Sequence, residues 1–299
     1  MFRDLKFFLT LLSLIASSTN AFCASGGVSL TSTELFRLGA FPVTNSMVTS
    51  WVVSLFIILI VRILVKTPKL IPSKGQLIVE SAIGGLRSLT EPIVGKKVFF
   101  PSFWLLSGLF IFILIQNWSG LLPGVGTIGN GFFKNGHFNV VDPLIRPGNA
   151  DLNMTLALAL VANLFWVYFI IKYAGPKIII KDWFGNKADK NQVHIVIFSL
   201  LGILFIAVGF IEILSIVFRP VSLSFRLFGN VFGGESLLHS MFLLGQNLGL
   251  PDIASKVSMF IVPIPFYFME MLIGLVQALV FMLLVSVYIG LICKHEEDH

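Results

Sequence analysis

Charge is scarce in this chain. Only 12% of its 299 residues are Asp, Glu, Lys or Arg, against about 25% in a soluble domain. Cysteine is nearly absent: Cys23 and Cys293 lie near opposite ends, without a nearby partner or metal-ligand spacing. No disulfide framework, metal site or cofactor is expected from that pattern. Internal repeats and low-complexity tracts are not evident. What is abundant is apolar: 56% of residues are hydrophobic and 30 are Phe. Such a composition belongs to an integral membrane protein that faces lipid or other membrane helices. The net charge of +6 is not taken as a sign of nucleic acid, because its placement has another cause.

The start, "MFRDLKFFLTLLSLIASSTNAFCAS", reads as a secretory signal over residues 1–24. Arg3 and Lys6 form a basic region, residues 7–16 a short apolar one, and Ala21 or Ala24 offers a cleavage point. An uncleaved N-terminal helix is the alternative. Residues 25–299 are expected to form a single polytopic membrane domain. Five later regions can enter a bilayer: roughly 47–65, 99–116, 153–171, 193–218 and 257–293. Breakers such as "KTPKLIPSKG", "GLLPGVGTIGNG" and "GQNLGLPD" lie between them. Residues 70–98 mix apolar and charged positions and read as a cytoplasmic surface helix.

Basic residues cluster in two segments. One holds Arg62, Lys66, Lys69, Lys74, Arg87, Lys96 and Lys97; the other holds Lys172, Lys177, Lys181, Lys187 and Lys190. Lys and Arg accumulate on the cytoplasmic side. The expected orientation therefore has the mature N-terminus outside and the C-terminus inside. The same bias accounts for most of the net charge.

Two apolar runs are too long. Residues 194–241 and 253–293 would make helices of roughly 70 and 60 Å, against a hydrocarbon core of about 30 Å. Either they break, at Pro220 or Gly233-Gly234, or they lie strongly tilted. The expected fold is all-α and integral to the membrane. Five helices enter the bilayer, the last two forming a long tilted hairpin over about 193–293, with one cytoplasmic surface helix besides.

Polar residues interrupt these runs at helical spacing. Glu212, Arg219 and Arg226 are seven apart and share one stripe. Asn230 follows one turn after Arg226, Glu235 lies half a turn round, and His239 is one turn beyond. The last run carries Glu270 and Gln277, again seven apart. A charge at the bilayer centre costs at least about 2.5–3.5 kcal/mol and marks ion pathways. The bland alternatives are an internal salt bridge of Arg226 with Glu212 or Glu235, interfacial snorkelling of Arg219, an interfacial His239, and a helix cap at Asp151 or Asn153.

The stretch "SLSFRLFGNVFGGE" closely resembles the signature of subunit a of F-type ATP synthases, the membrane stator beside the c-ring. "NWSGLLPG", "ADLNMTLALAL" and "LVQALVFMLLVSVYIG" extend the resemblance over roughly residues 45–295. It implies an ATP-synthesis and proton-transport role in a bacterial inner membrane. The implied partners are the c-ring, the peripheral-stalk b subunits and lipid, with no nucleic acid and no catalytic site in this subunit. Arg226 matches the family's rotor-facing arginine. Glu212, Ser222 and Asn230 match exit-side positions. Glu235, Glu270 and Gln277 match the outer half-channel and the region beside the arginine. Many relatives carry histidine at one of the two glutamate positions. Here both are Glu, so the main relay is left open among Glu235, Glu270 and His239. A secondary ion transporter with an intramembrane Arg/Glu site is the competing class. It should show duplicated halves with matching broken helices, and none is seen. Proton versus sodium specificity is left to the ring.

Overall fold

A short hairpin leads into the first long helix. Strands β1 (Glu34–Leu38) and β2 (Phe41–Thr44) pair antiparallel, and Gly39 makes the turn at φ +65°, a left-handed conformation that favours glycine. This computed structural model describes residues 32–122, 125, 129–134, 137–173, 175 and 195–297. The signal-like segment and most of the basic 172–190 segment lie outside the described residues.

Helix α1 (Asn45–Val65) buries polar residues in its first turns: Asn45, Ser46, Thr49 and Ser50. Further along it exposes Leu55, Phe56, Ile58, Leu59 and Ile63, as a lipid-facing helix should. Two prolines, Pro68 and Pro72, hold the chain out of helix until Ser73. The Ser73 hydroxyl then caps α2 (Lys74–Val94) by accepting from the Gln76 N–H at 3.3 Å. Helix α2 is the surface helix expected from its mixed composition. It exposes Leu77, Ile78 and Leu89 and carries an exposed Arg87–Glu91 ion pair at 2.8 Å.

Gly95, at φ 82°, turns the chain into α3 (Lys96–Ser119). A second hairpin follows, β3 (Gly129–Lys134) with β4 (His137–Pro143), then a 3-10 turn at Gly148–Ala150 and α4 (Leu152–Tyr173). Neither hairpin is foreseen in the sequence, where both regions read only as loops. Helix α5 (Ile195–Asn247) is unbroken over 53 residues, or about 80 Å. A short α6 (Asp252–Ile261) and α7 (Pro263–Glu297) complete the chain.

Among the described residues, five helical stretches are long and apolar enough to cross a membrane: 45–65, 96–119, 152–173, 207–247 and 253–290. The all-α membrane architecture holds, with two corrections. The fourth run does not end near residue 218, nor break at Pro220 or Gly233-Gly234; α5 passes through all three. An interior proline removes one helical hydrogen bond and costs about 3 kcal/mol. Here Leu223 and Leu227 are buried just beyond it, in a core shared with α4 and α7, which offsets that loss. The last run does break, at Val262, between α6 and α7. Pro263 has no N–H to continue the ladder but suits a helix start.

The core lies where α3, α4, α5 and α7 meet, and α2 closes one side. Phe99, Leu106 and Ile113 of α3 pack with Ala159 and Trp166 of α4, Leu227 of α5, and Phe281 and Met282 of α7. Small residues allow close approach. A Cβ on Gly290 would collide with the carbonyl of Ile93, so α2 ends directly against α7.

Candidate functional site

Arg226 stands exposed on α5. Among the described residues it makes no hydrogen bond or ion pair, so the internal salt bridge with Glu212 or Glu235 does not form. Ser222, Phe225, Gly229 and Gly233 are exposed beside it. At steps of four, three and four, Ser222, Arg226, Gly229 and Gly233 form one stripe along the helix. A Cβ at Gly229 or Gly233 would meet nothing within 4 Å. Packing among the described residues therefore does not require their smallness.

Other contacts of α5 reach a polar layer, with Asn230 one turn from Arg226 and Ser224 and Glu235 about half a turn round. Asn230 donates from Nδ2 to Gln277 Oε1 at 2.8 Å, and Gln277 is 5% exposed. Ser224, two residues before Arg226, pairs with the Thr155 hydroxyl of α4 at 2.9 Å, and both are fully buried. Glu235 points inward, half a turn from Arg226 as its spacing requires. Its Oε2 is buried without a hydrogen bond among the described residues. Glu270 comes across from α7 and is buried. Its carboxyl group lies where a side chain at position 234 would stand, and only Gly234 leaves it room.

Several members of this layer were not singled out from the sequence. Arg146, 3% exposed, precedes the 3-10 turn. It donates from Nη2 to the Ala150 carbonyl at 3.2 Å. Burial pushes its guanidinium below the ordinary arginine value, while the carboxylates of Glu235 and Asp151 act the other way. Asn149 donates from Nδ2 to Asn117 Oδ1 at 2.7 Å, and Asn117 donates in turn to the Gly274 carbonyl at 2.9 Å. The Gly148 N–H donates to Gln116 Oε1 at 3.0 Å. Gln116 Nε2, Asn149 Oδ1 and Gln277 Nε2 are buried without a hydrogen-bond partner among the described residues.

Asp151 does more than cap a helix. Its Oδ1 accepts from the Asn153 N–H at 3.0 Å, as a cap should. Its Oδ2 accepts from the Ser46 hydroxyl at 2.7 Å and from Ser32. Asn153 itself is exposed. Position in the sequence disguised these residues: at the ends of apolar runs, polar side chains read as caps and loops.

The remaining candidates lie apart. Glu212 is exposed on the earlier part of α5, and His239 is exposed beyond Glu235. His239 therefore does not join the buried layer. The guanidinium of Arg219 lies over the rings of Trp166 and Tyr288, 4.8 and 4.4 Å from their centroids.

An unpaired arginine on a helix of this length, backed by buried carboxylates and amides, narrows the class to ion-handling membrane proteins. The sequence profile described as ATP synthase A chain matches residues 47–290. The chain belongs to the ATP synthase A chain family. "ATP synthase subunit a" of Geobacter sulfurreducens is 31% identical over 240 residues, 80% of this chain and 83% of that protein. "ATP synthase subunit a" of Moorella thermoacetica is 30% identical over 261 residues, covering 86% and 94%. "ATP synthase subunit a 2" of a Bradyrhizobium strain is 28% identical over 263 residues, covering 87% and 94%. The family match spans α1 to most of α7, so all the residues described above from Thr49 to Tyr288 lie within it.

Proposed function

We propose that this chain is the stator subunit a of an F-type ATP synthase membrane sector. It supplies two proton half-channels and the arginine that faces the rotor. The observation that carries this is Arg226: exposed, unpaired, and set in a stripe whose glycines no internal contact explains. Close approach of a neighbouring membrane helix explains such small residues. A rotating ring of helices fits a partner that must slide past rather than lock.

The physical mechanism follows from the charge. Arginine holds its proton where a lysine can lose it on burial. A ring carboxylate passing Arg226 is favoured in its ionised form, because an opposite charge lowers its pKa. It gives up its proton on the exit side, where Glu212 and Ser222 lie. It reloads from the outer side, through the layer of Gln116, Asn149, Glu235, Glu270, Gln277 and Asn230. Buried polar groups are satisfied by protein or water, so the unmatched amides and the Glu235 oxygen suit a hydrated path. Between the two half-channels the fixed positive charge blocks direct proton passage. Flow then requires rotation.

The peripheral-stalk b subunits and the c-ring are the expected protein partners, in a bacterial inner membrane. The bias of Lys and Arg supports an external N-terminus and a cytoplasmic C-terminus. That orientation puts the buried polar layer on the outer side.

The experiment is ATP-driven proton pumping in membrane vesicles. Arg226→Ala should abolish pumping while the complex still assembles. Normal pumping by the assembled variant would overturn the assignment.

A further inference from the structure

Arg219 occupies a slot built from two other helices. Trp166 of α4 and Tyr288 of α7 present their ring faces to its guanidinium at 4.8 and 4.4 Å. The slot is itself locked, because Trp166 Nε1 donates to the Tyr288 carbonyl at 2.6 Å. Trp166 is 6% exposed and Arg219 and Tyr288 are half-buried, so the cation–π contact is partly shielded from solvent, and desolvation strengthens such contacts. Arg219 Nη1 is buried and makes no hydrogen bond among the described residues. The aromatic faces, rather than a carboxylate, hold this charge.

The slot adjoins an interior proline of α5. Pro220 follows directly, and its missing N–H leaves the carbonyl four residues earlier without a helical donor. A helix is free to bend or twist at such a place. Seven residues further on stands Arg226, about 10 Å along the axis and about 20° round it. A twist of about 20° would move an atom roughly 6 Å off the axis by about 2 Å. A misplacement of about 1 Å in a reacting group can cost about a hundredfold in rate.

We infer that Arg219 is a positioning residue for Arg226, clamped by Trp166 and Tyr288 so that α5 holds one rotation beyond Pro220. The inference rests on the rotor-facing assignment of Arg226. It predicts a loss of coupling between ATP hydrolysis and pumping, which loss of bulk stability alone would not produce in assembled complexes.

The test uses vesicles carrying the whole complex, with assembly checked by co-purification of the subunits. Arg219→Ala should lower protons pumped per ATP hydrolysed by roughly 3- to 10-fold. Arg219→Lys should recover only part of that, since an ammonium lacks the planar stacking surface. Tyr288→Phe keeps the ring and should stay within about 2-fold of wild type. Tyr288→Leu should fall as Arg219→Ala does, and the pair combined should add little. Wild-type coupling in Arg219→Ala overturns the inference. So does wild-type coupling in Tyr288→Leu beside a defective Arg219→Ala. If Arg219→Ala does not assemble, Arg219→Lys and Tyr288→Leu decide, and wild-type coupling in both overturns it. An Arg226→Ala variant measured alongside separates the two claims. If that variant pumps, the functional assignment fails; if it is inactive while Arg219→Ala is normal, only the clamp fails.

Discussion

The carboxyl group of Glu270 fills the space that a side chain at Gly234 would need. The two residues lie on different helices, 36 positions apart in sequence, and each explains the other. Glycine is unfavourable inside a helix by about 0.5–1 kcal/mol, yet here it makes room for a buried acid. Gly234→Ala should therefore destabilise the hairpin by about 1–3 kcal/mol, the usual range for overpacking, and reduce pumping. Shortening the acid with Glu270→Asp in the same chain should restore part of both. The thermal midpoint of the solubilised complex and the pumping rate measure this. No restoration by Glu270→Asp would show that the clash is relieved elsewhere.

A second relationship joins the loop before α4 to α5. Arg146 is buried, with Glu235 and Asp151 as the carboxylates acting on its charge. Removing Arg146 takes away its hydrogen bond to the Ala150 carbonyl and the positive charge that acts on both carboxylates. Arg146→Met should lower the thermal midpoint of the complex and the amount of chain retained in membranes. Adding Glu235→Gln should recover part of the loss. Strict additivity of the two substitutions would mean that they do not act on each other.

The exposed glycines give a prediction of the opposite kind. Among the described residues, a Cβ at Gly229 or Gly233 would meet nothing within 4 Å. Replacing either with Ala should be neutral or favourable for the isolated helix. Gly233→Leu should leave the amount of chain in membranes unchanged, yet cut ATP-driven pumping at least several-fold. Full pumping by Gly233→Leu would remove the case for a close neighbour along this stripe.

Orientation can be read by impermeant thiol labelling in intact cells, with Cys23 and Cys293 replaced by Ser. Leu70, before α2, and Leu248, after α5, are both exposed, at 105% and 67%. A cysteine at Leu248 should label, and one at Leu70 should not until the membrane is opened. The reverse pattern would invert the topology.

Glu235, half-buried with its Oε2 inside, and the buried Glu270 call for a paired measurement. Glu235→Gln and Glu270→Gln should each slow passive proton flow, and the double variant should fall well short of their product. Wild-type flow in both single variants would place the outer path elsewhere, with the exposed His239 the next residue to vary.

Much of this protein is written locally in its sequence. Apolar runs of spanning length, the breakers between them and the bias of Lys and Arg are properties of single segments, set by hydrocarbon thickness and by charge. The stripe of Arg226 and the inward face of Glu235 follow from helical spacing alone. What spacing cannot supply is the identity of the neighbour. Whether Pro220 breaks α5 depends on the core that Leu223 and Leu227 find across from them. Nothing in the spacing around Arg219 points to Trp166 and Tyr288, 53 and 69 residues away, whose rings lie against it. Arg146, Gln116 and Asn149 read as loop and cap residues because their partners lie on other helices. A helix determines which way its own residues point; only the packing of several helices decides what they meet, and so which polar groups are left to face one another.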